Sequence, residues 1–211
     1  MSVSGQTTIA TAVLAVLFAV LPGPVTASPA AQRFVIVPAE SLVTYRVHET
    51  LFRDGNRLNV AVGTTNAIKG EIAVDRAAPR SSRIGTITVD ISTFRSDSAR
   101  RDQAIRERWL ESSRFPVAEF RPTAVQGLPA AYRDGEELRL KAVGDLTIRA
   151  VTRQVTFDFT LVLQGSTLRG TAQTTVRMTD FGFDPPSILG ILRTENEIHL
   201  EFRFTARPPA P

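Results

Sequence analysis

The chain has 211 residues, with 25 basic and 21 acidic side chains, a formal net charge of +4 and no cysteine. That length favours one large domain or two small ones, and the lack of cysteine excludes disulfides, thiolate catalysis and cysteine-ligated zinc or iron–sulfur sites. The basic residues, nearly all arginine, are scattered rather than gathered in a stripe, which argues against a nucleic-acid partner and allows at most a mild attraction to anionic lipid surfaces or phosphate groups.

Ile9 to Leu21 is an uncharged apolar run, of signal-peptide length and too short to span a bilayer as a helix. Pro22, Gly23 and Pro24 break it, and Val25-Thr26-Ala27 offers small residues for cleavage before Ser28. The first nine residues hold no Lys or Arg, so the positive start of such a leader rests on the α-amino group. The expected organisation is a signal peptide over 1–27, one domain over 28–206 and a Pro-rich tail over 207–211, in a periplasmic or secreted protein.

From Phe34 onward one strand follows another. Residues 42–48 and 57–62 flank Asp54-Gly55-Asn56, a turn sequence that supplies positive φ. Residues 68–74 and 83–91 alternate apolar with polar. In 137–149, Leu138, Leu140, Ala142, Leu146 and Ile148 share parity, and in 155–163 Val155, Phe157, Phe159, Leu161 and Leu163 do so. Gln164-Gly165-Ser166 turns the chain into 167–179, and the last strand sets Ile198, Leu200, Phe202 and Phe204 against His199, Glu201 and Arg203. Residues 98–110 break the rhythm: Ser98 is a candidate N-cap, Ala104, Ile105 and Trp109 have helical spacing, and Asp102 with Arg106 offers a local charge pair. The predicted fold is all-β, an antiparallel eight-stranded barrel with one short helical excursion at about 98–110. An immunoglobulin-type sandwich is the alternative, disfavoured by the long strands and the missing Cys–Trp–Cys core.

Three segments resemble the YceI family of periplasmic, lipocalin-like proteins, over about residues 34–206. Arg101-Asp102, Trp109-Leu110-Glu111 and then Phe115-Pro116-Val117-Ala118-Glu119-Phe120 resemble the family's RD…L…FFD…YPxxxF pattern. Val143-Gly144-Asp145-Leu146-Thr147-Ile148 with Val151-Thr152-Arg153-Gln154-Val155 is similar to its GxLTIHGVTKPV, and Thr179-Asp180-Phe181-Gly182-Phe183 to its SDFG segment. The chain departs from the pattern at Ala104 and Arg149, where many members carry His, at Ala150 for a turn Gly, at Gln154 for Pro and at Met178 for a basic residue. The resemblance implies an elongated internal pocket for a polyisoprenoid or related long-chain lipid, and no chemical step.

The candidate ligand-binding residues are Phe157, Phe159, Leu161, Leu146, Phe202, Phe204, Trp109 and His48. Small residues at presumed inward positions (Ala142, Gly144, Gly170 and Ala172) leave either a channel or interdigitated packing. Arg101, Arg106 and Arg108 are available to a phosphate head at the mouth. No catalytic residue, metal or cofactor is predicted: there are two His, no G-x-S-x-G elbow, and Asp180-Phe181-Gly182 lacks the other kinase elements. The leading reading is a carrier for a long-chain lipid, with transient membrane-surface contact. An envelope stress or interaction module without a carried ligand, or a lipid-acting enzyme using His48, are the alternatives.

Overall fold

The computed structural model describes residues 31–52, 55–188 and 191–209. The expected signal segment and its cleavage point after Ala27 lie outside the described residues. Thirteen strand segments form one antiparallel sheet, and they fall into eight runs. The first run is β1 (Gln32–Ile36) and β2 (Leu42–Leu51), parted by a 3-10 turn at Pro38–Glu40. The second is β3 (Arg57–Thr65), β4 (Ile68–Lys69) and β5 (Glu71–Val74); the third is β6 (Arg83–Ile84) and β7 (Ile87–Asp90). Then come β8 (Val117–Gln126), β9 (Glu137–Ile148), β10 (Val151–Gln164) and β11 (Thr167–Arg177). The last run is β13 (Leu192–Arg207), with the short β12 (Ser187–Ile188) folded against its start.

Each run pairs with the next, and the last returns to the first. The ladder passes from β1 to β5, β4 to β7 and β7 to β8, then through β9, β10 and β11 to β13. β13 closes the circuit on β2 through Phe202–Val43 and on β1 through Val35–Arg207. One continuous ring replaces the two stacked sheets of a sandwich, and closure removes the sheet edges that would otherwise need protection. Arg207 extends the final strand one residue into the segment expected as a tail, and its guanidinium donates to both Glu40 oxygens at 2.6 and 2.8 Å. That contact holds the Glu40 carboxyl below its ordinary range.

Local chemistry explains the departures from regular strand. The sequence alternation runs to Thr179, but β11 stops at Arg177, because Met178–Phe181 forms a 3-10 turn ended by Gly182 at φ 77°. The TDFG segment is therefore a tight turn. Residues 83–91 split into β6 and β7 around Gly85-Thr86. In β8 the register shifts between Pro122 and Ala124, where proline removes a ladder donor. The hairpin between β2 and β3 turns through Gly55 and Asn56 at φ 70° and 61°, and the β9–β10 turn uses Arg149 and Ala150 at φ 50° and 63° without any glycine.

The barrel is closely packed at one end. Phe34, Ile68, Leu163 and Leu168 are 0–2% exposed there, joined by Ile36, Ile72, Phe204 and Ala206. The loop before β9 corks this end: the Tyr132 hydroxyl donates to the Leu163 carbonyl at 2.5 Å and accepts from its N–H at 2.9 Å. Across the barrel wall, a Cβ at Gly144 would strike the Arg121 carbonyl and the Pro122 Cα, which are backbone atoms unable to swing aside. Gly144→Ala is therefore expected to destabilise the protein by about 1–3 kcal/mol, measured as a lower urea midpoint with an unchanged slope.

Candidate functional site

The other end of the barrel holds a cavity of about 660 Å³. Its walls are the inward faces of the strands. Phe157, Phe159, Leu146, Phe202 and Phe204 line it as predicted from alternation, and Ala61, Ala142 and Ala172 leave the space between them. Phe120 and Phe157 meet edge to face at 4.8 Å, and Phe202 and Phe204 stack at 5.1 Å, arrangements that aromatic quadrupoles favour. Phe181 and Met178, both buried, add lining from the turn after β11.

A helix roofs this end. Helix α1 (Ala99–Ala104) starts at Ser98, whose hydroxyl accepts from the Arg101 N–H at 3.3 Å, and continues as a π-helical turn over Ile105–Trp109. Ala104, Ile105 and Trp109 line the cavity from above. Asp102 is buried and accepts from the Ser96 N–H at 2.9 Å and the Ser96 hydroxyl at 2.6 Å. Arg106 instead reaches the Phe94 carbonyl at 3.4 Å, so the expected Asp102–Arg106 pair is not formed. The aspartate is spent on closing the loop that launches the helix.

Two predicted residues stand elsewhere. Leu161 borders a separate hollow of about 50 Å³ at the packed end, with Leu140, Leu163 and Leu168. Its parity is right, but strand length carries it past the cavity. His48 is exposed on the outer surface, its ring 6.2 Å from that of His199. The inward residues of β2 are Val43, Tyr45, Val47 and Glu49. Leu42, in step with His48 along the strand, faces a shallow outer groove beside Glu40 and Arg203, next to the Pro38–Glu40 kink. Among the described residues no group of three potential ligands gathers to hold a metal.

Alternation did not reveal the polar patch on this wall. Glu49 is 4% exposed; its Oε1 accepts from Asn59 Nδ2 at 2.7 Å and from Arg101 Nη2 at 3.1 Å. Arg101 also pairs with Asp97, so one arginine ties the roof to β2. Burial pushes the Tyr45 phenol beside them up to about 12. In sequence, Glu49 looks like any polar residue on a strand; only the closed barrel turns it inward. On the far rim Arg149 pairs with Glu111, donates to the Gly182 carbonyl at 3.4 Å and lies 5.7 Å over the Phe183 ring. It joins the post-helix segment, the β9–β10 turn and the loop after β11.

Residues 34–206 match the YceI-like domain. The chain belongs to that family. Among curated relatives it is 30% identical over 104 residues to Protein YceI of Escherichia coli O157:H7, covering 49% of this chain and 50% of that one. A UPF0312 protein of Pseudomonas fluorescens (strain SBW25) is 32% identical over 131 residues, covering 59% of this chain and 64% of its own. The chain thus spans about half the length of the first curated relatives it matches. Burkholderia cenocepacia BcnA superposes with a TM-score of 0.62 at 18% identity, covering 81% of this chain and 98% of its own. A structure described as a polyisoprenoid binding domain from Saccharophagus degradans gives 0.62 at 10% identity, covering 85% and 99%. At such identities the likeness is one of fold, and it agrees with the closed YceI-like barrel found here.

The roof contact and the phenol are both measurable. Arg101→Ala leaves the Glu49 carboxylate buried with Asn59 alone, an expected loss of about 2 kcal/mol, seen as a lower melting temperature. The Tyr45 phenol has a folded pKa above its unfolded value near 10. Its contribution to stability is therefore complete below about pH 10 and is lost as pH rises towards about 12. Chemical denaturation across that window should show stability falling less steeply in Tyr45→Phe than in the parent.

Proposed function

We propose that this protein holds a long-chain apolar lipid of the polyisoprenoid class inside the barrel, and carries it outside the cytoplasm rather than transforming it. The observation that carries this reading is the cavity: about 660 Å³, within the roughly 300–1,000 Å³ range of ligand sites, with aromatic and aliphatic walls and one packed end. Each methylene moved into such a site gains about 0.8 kcal/mol, so a long chain is held with few polar contacts. The fold likeness to a domain described as polyisoprenoid binding supports the ligand class. Both histidines lie on strand faces turned away from the cavity, which favours holding over turnover. The apolar run Ile9 to Leu21 followed by Val25-Thr26-Ala27 supports export.

Exchange at a membrane surface fits the same end of the barrel. Phe52 and Leu58 flank the tip of the β2–β3 hairpin and Ile188 sits in β12 at the cavity rim, 40%, 81% and 38% exposed. Exposed apolar tips beside a lipid-sized opening offer contact with acyl chains.

Native mass spectrometry of the full chain, secreted through its own leader and followed by organic extraction, is the test. The expected result is a co-purifying lipid that dissociates as one species; a ligand-free protein overturns the reading. Ala172 lies between Phe159 and Phe202 on neighbouring strands and lines the cavity. Ala172→Phe is expected to abolish the bound mass while leaving the melting temperature equal or higher, since filling a void stabilises.

A further inference from the structure

Tyr45 presents a polar tip to an otherwise apolar wall. Its ring lies against Gly63, its cross-strand partner, where any Cβ would overlap the ring atoms. Phe94 packs edge-on at 5.3 Å. The phenol is thus held in place from two sides. Its hydroxyl has no hydrogen-bond partner among the described residues, and it is not sealed in protein, because Tyr45 opens onto the cavity. An oriented, unsatisfied donor beside an apolar chamber is a specificity element, since a ligand that fails to meet it leaves a desolvated polar group.

The charge around that hydroxyl decides what it can meet. The charged groups acting on it are Arg101, Asp102, Asp97 and Glu49, one cation against three anions. Arg101 is already committed to Glu49 and Asp97. A diphosphate entering here would have to pull Arg101 from a carboxylate that is 4% exposed, leaving that carboxylate buried with one hydrogen bond. Arg100 and Arg108, which also border the cavity, are exposed to solvent, where salt screens them. Burial keeps the phenol protonated, and therefore a donor, through the whole physiological pH range.

We propose that the Tyr45 hydroxyl, which shares the cavity lining with Glu49 and Arg101, is the head-group site of the cavity and selects an uncharged hydrogen-bond-accepting head, a carbonyl or hydroxyl oxygen on an apolar chain, against a diphosphate. This selection rests on the lipid-carrier reading above, and it replaces the phosphate role that Arg101 suggests in the bare sequence.

Trp109 is the chain's single tryptophan and lines the cavity, so its fluorescence reports occupancy. Three probes separate head from chain: geranylgeraniol, geranylgeranyl diphosphate and the headless hydrocarbon phytane. Geranylgeraniol is expected to bind about tenfold more tightly than the diphosphate. Tyr45→Phe keeps the ring over Gly63 and should weaken geranylgeraniol about three- to tenfold, the worth of one hydrogen bond, while phytane binding stays unchanged. Glu49→Gln, which removes an anion without removing bulk, should narrow the gap between alcohol and diphosphate. Equal or tighter binding of the diphosphate to the parent protein overturns the head-group assignment, as does a Tyr45→Phe variant that loses alcohol and phytane alike or neither. In those cases phytane binding by the parent still supports the carrier reading; no response to any of the three probes overturns both.

Discussion

The ring of backbone hydrogen bonds is the constraint on which everything else depends. β13, sixteen residues long, bends so that its first part pairs with β2 and its last residues with β1. Without that double pairing β2 and β13 would each leave an open ladder, and the apolar faces would have to stack as two sheets. Closure also sets the width. An eight-stranded barrel has an interior that side chains can just fill, so whether it holds a ligand depends on which residues point inward at each level.

This barrel takes both options at once. At the packed end, Phe34, Leu163, Leu168 and Phe204 meet in a close-packed cluster, and the loop carrying Tyr132 seals it. At the other end the inward positions carry Ala61, Ala142 and Ala172 between the phenylalanines, and the difference in volume is the cavity. The packed end supplies stability to a molecule whose other half has given up core contacts. The chamber consequently has a floor and a roof, and a chain entering it has a defined direction.

The roof is fastened by polar groups where the walls are apolar. Arg101 binds Glu49 of β2, Asp102 closes the loop through Ser96, and Arg149 gathers the post-helix segment and the turn after β11 around Phe183. Such contacts cost desolvation and have strict geometry, which suits a cover that must sit in one place. They also place charge and an unpaired phenol beside the chamber, so the groups that hold the roof shape what the chamber accepts.

Much of the fold was legible in the chain because β alternation repeats every two residues and turn chemistry is local. The inward set of β9, β10 and β13 followed from parity alone, and the Ser98 cap and the Gly55-Asn56 turn from local capping and turn chemistry. Five of the predicted aromatic and aliphatic wall residues, and Trp109 on the helix, line the chamber. Parity failed for His48, because β2 carries apolar residues in both phases near the Pro38–Glu40 kink, and it could not tell Leu161, at the packed end, from Phe157, at the open one. Depth along the barrel axis depends on how neighbouring strands are staggered, and stagger is a property of the closed ring. The same holds for Glu49, Asn59 and Arg101, which meet only when β2, β3 and the helix come together. Local pattern determined the strands, their faces and the class of fold; tertiary closure decided where the interior is empty, which polar groups face that space, and hence what kind of molecule it suits.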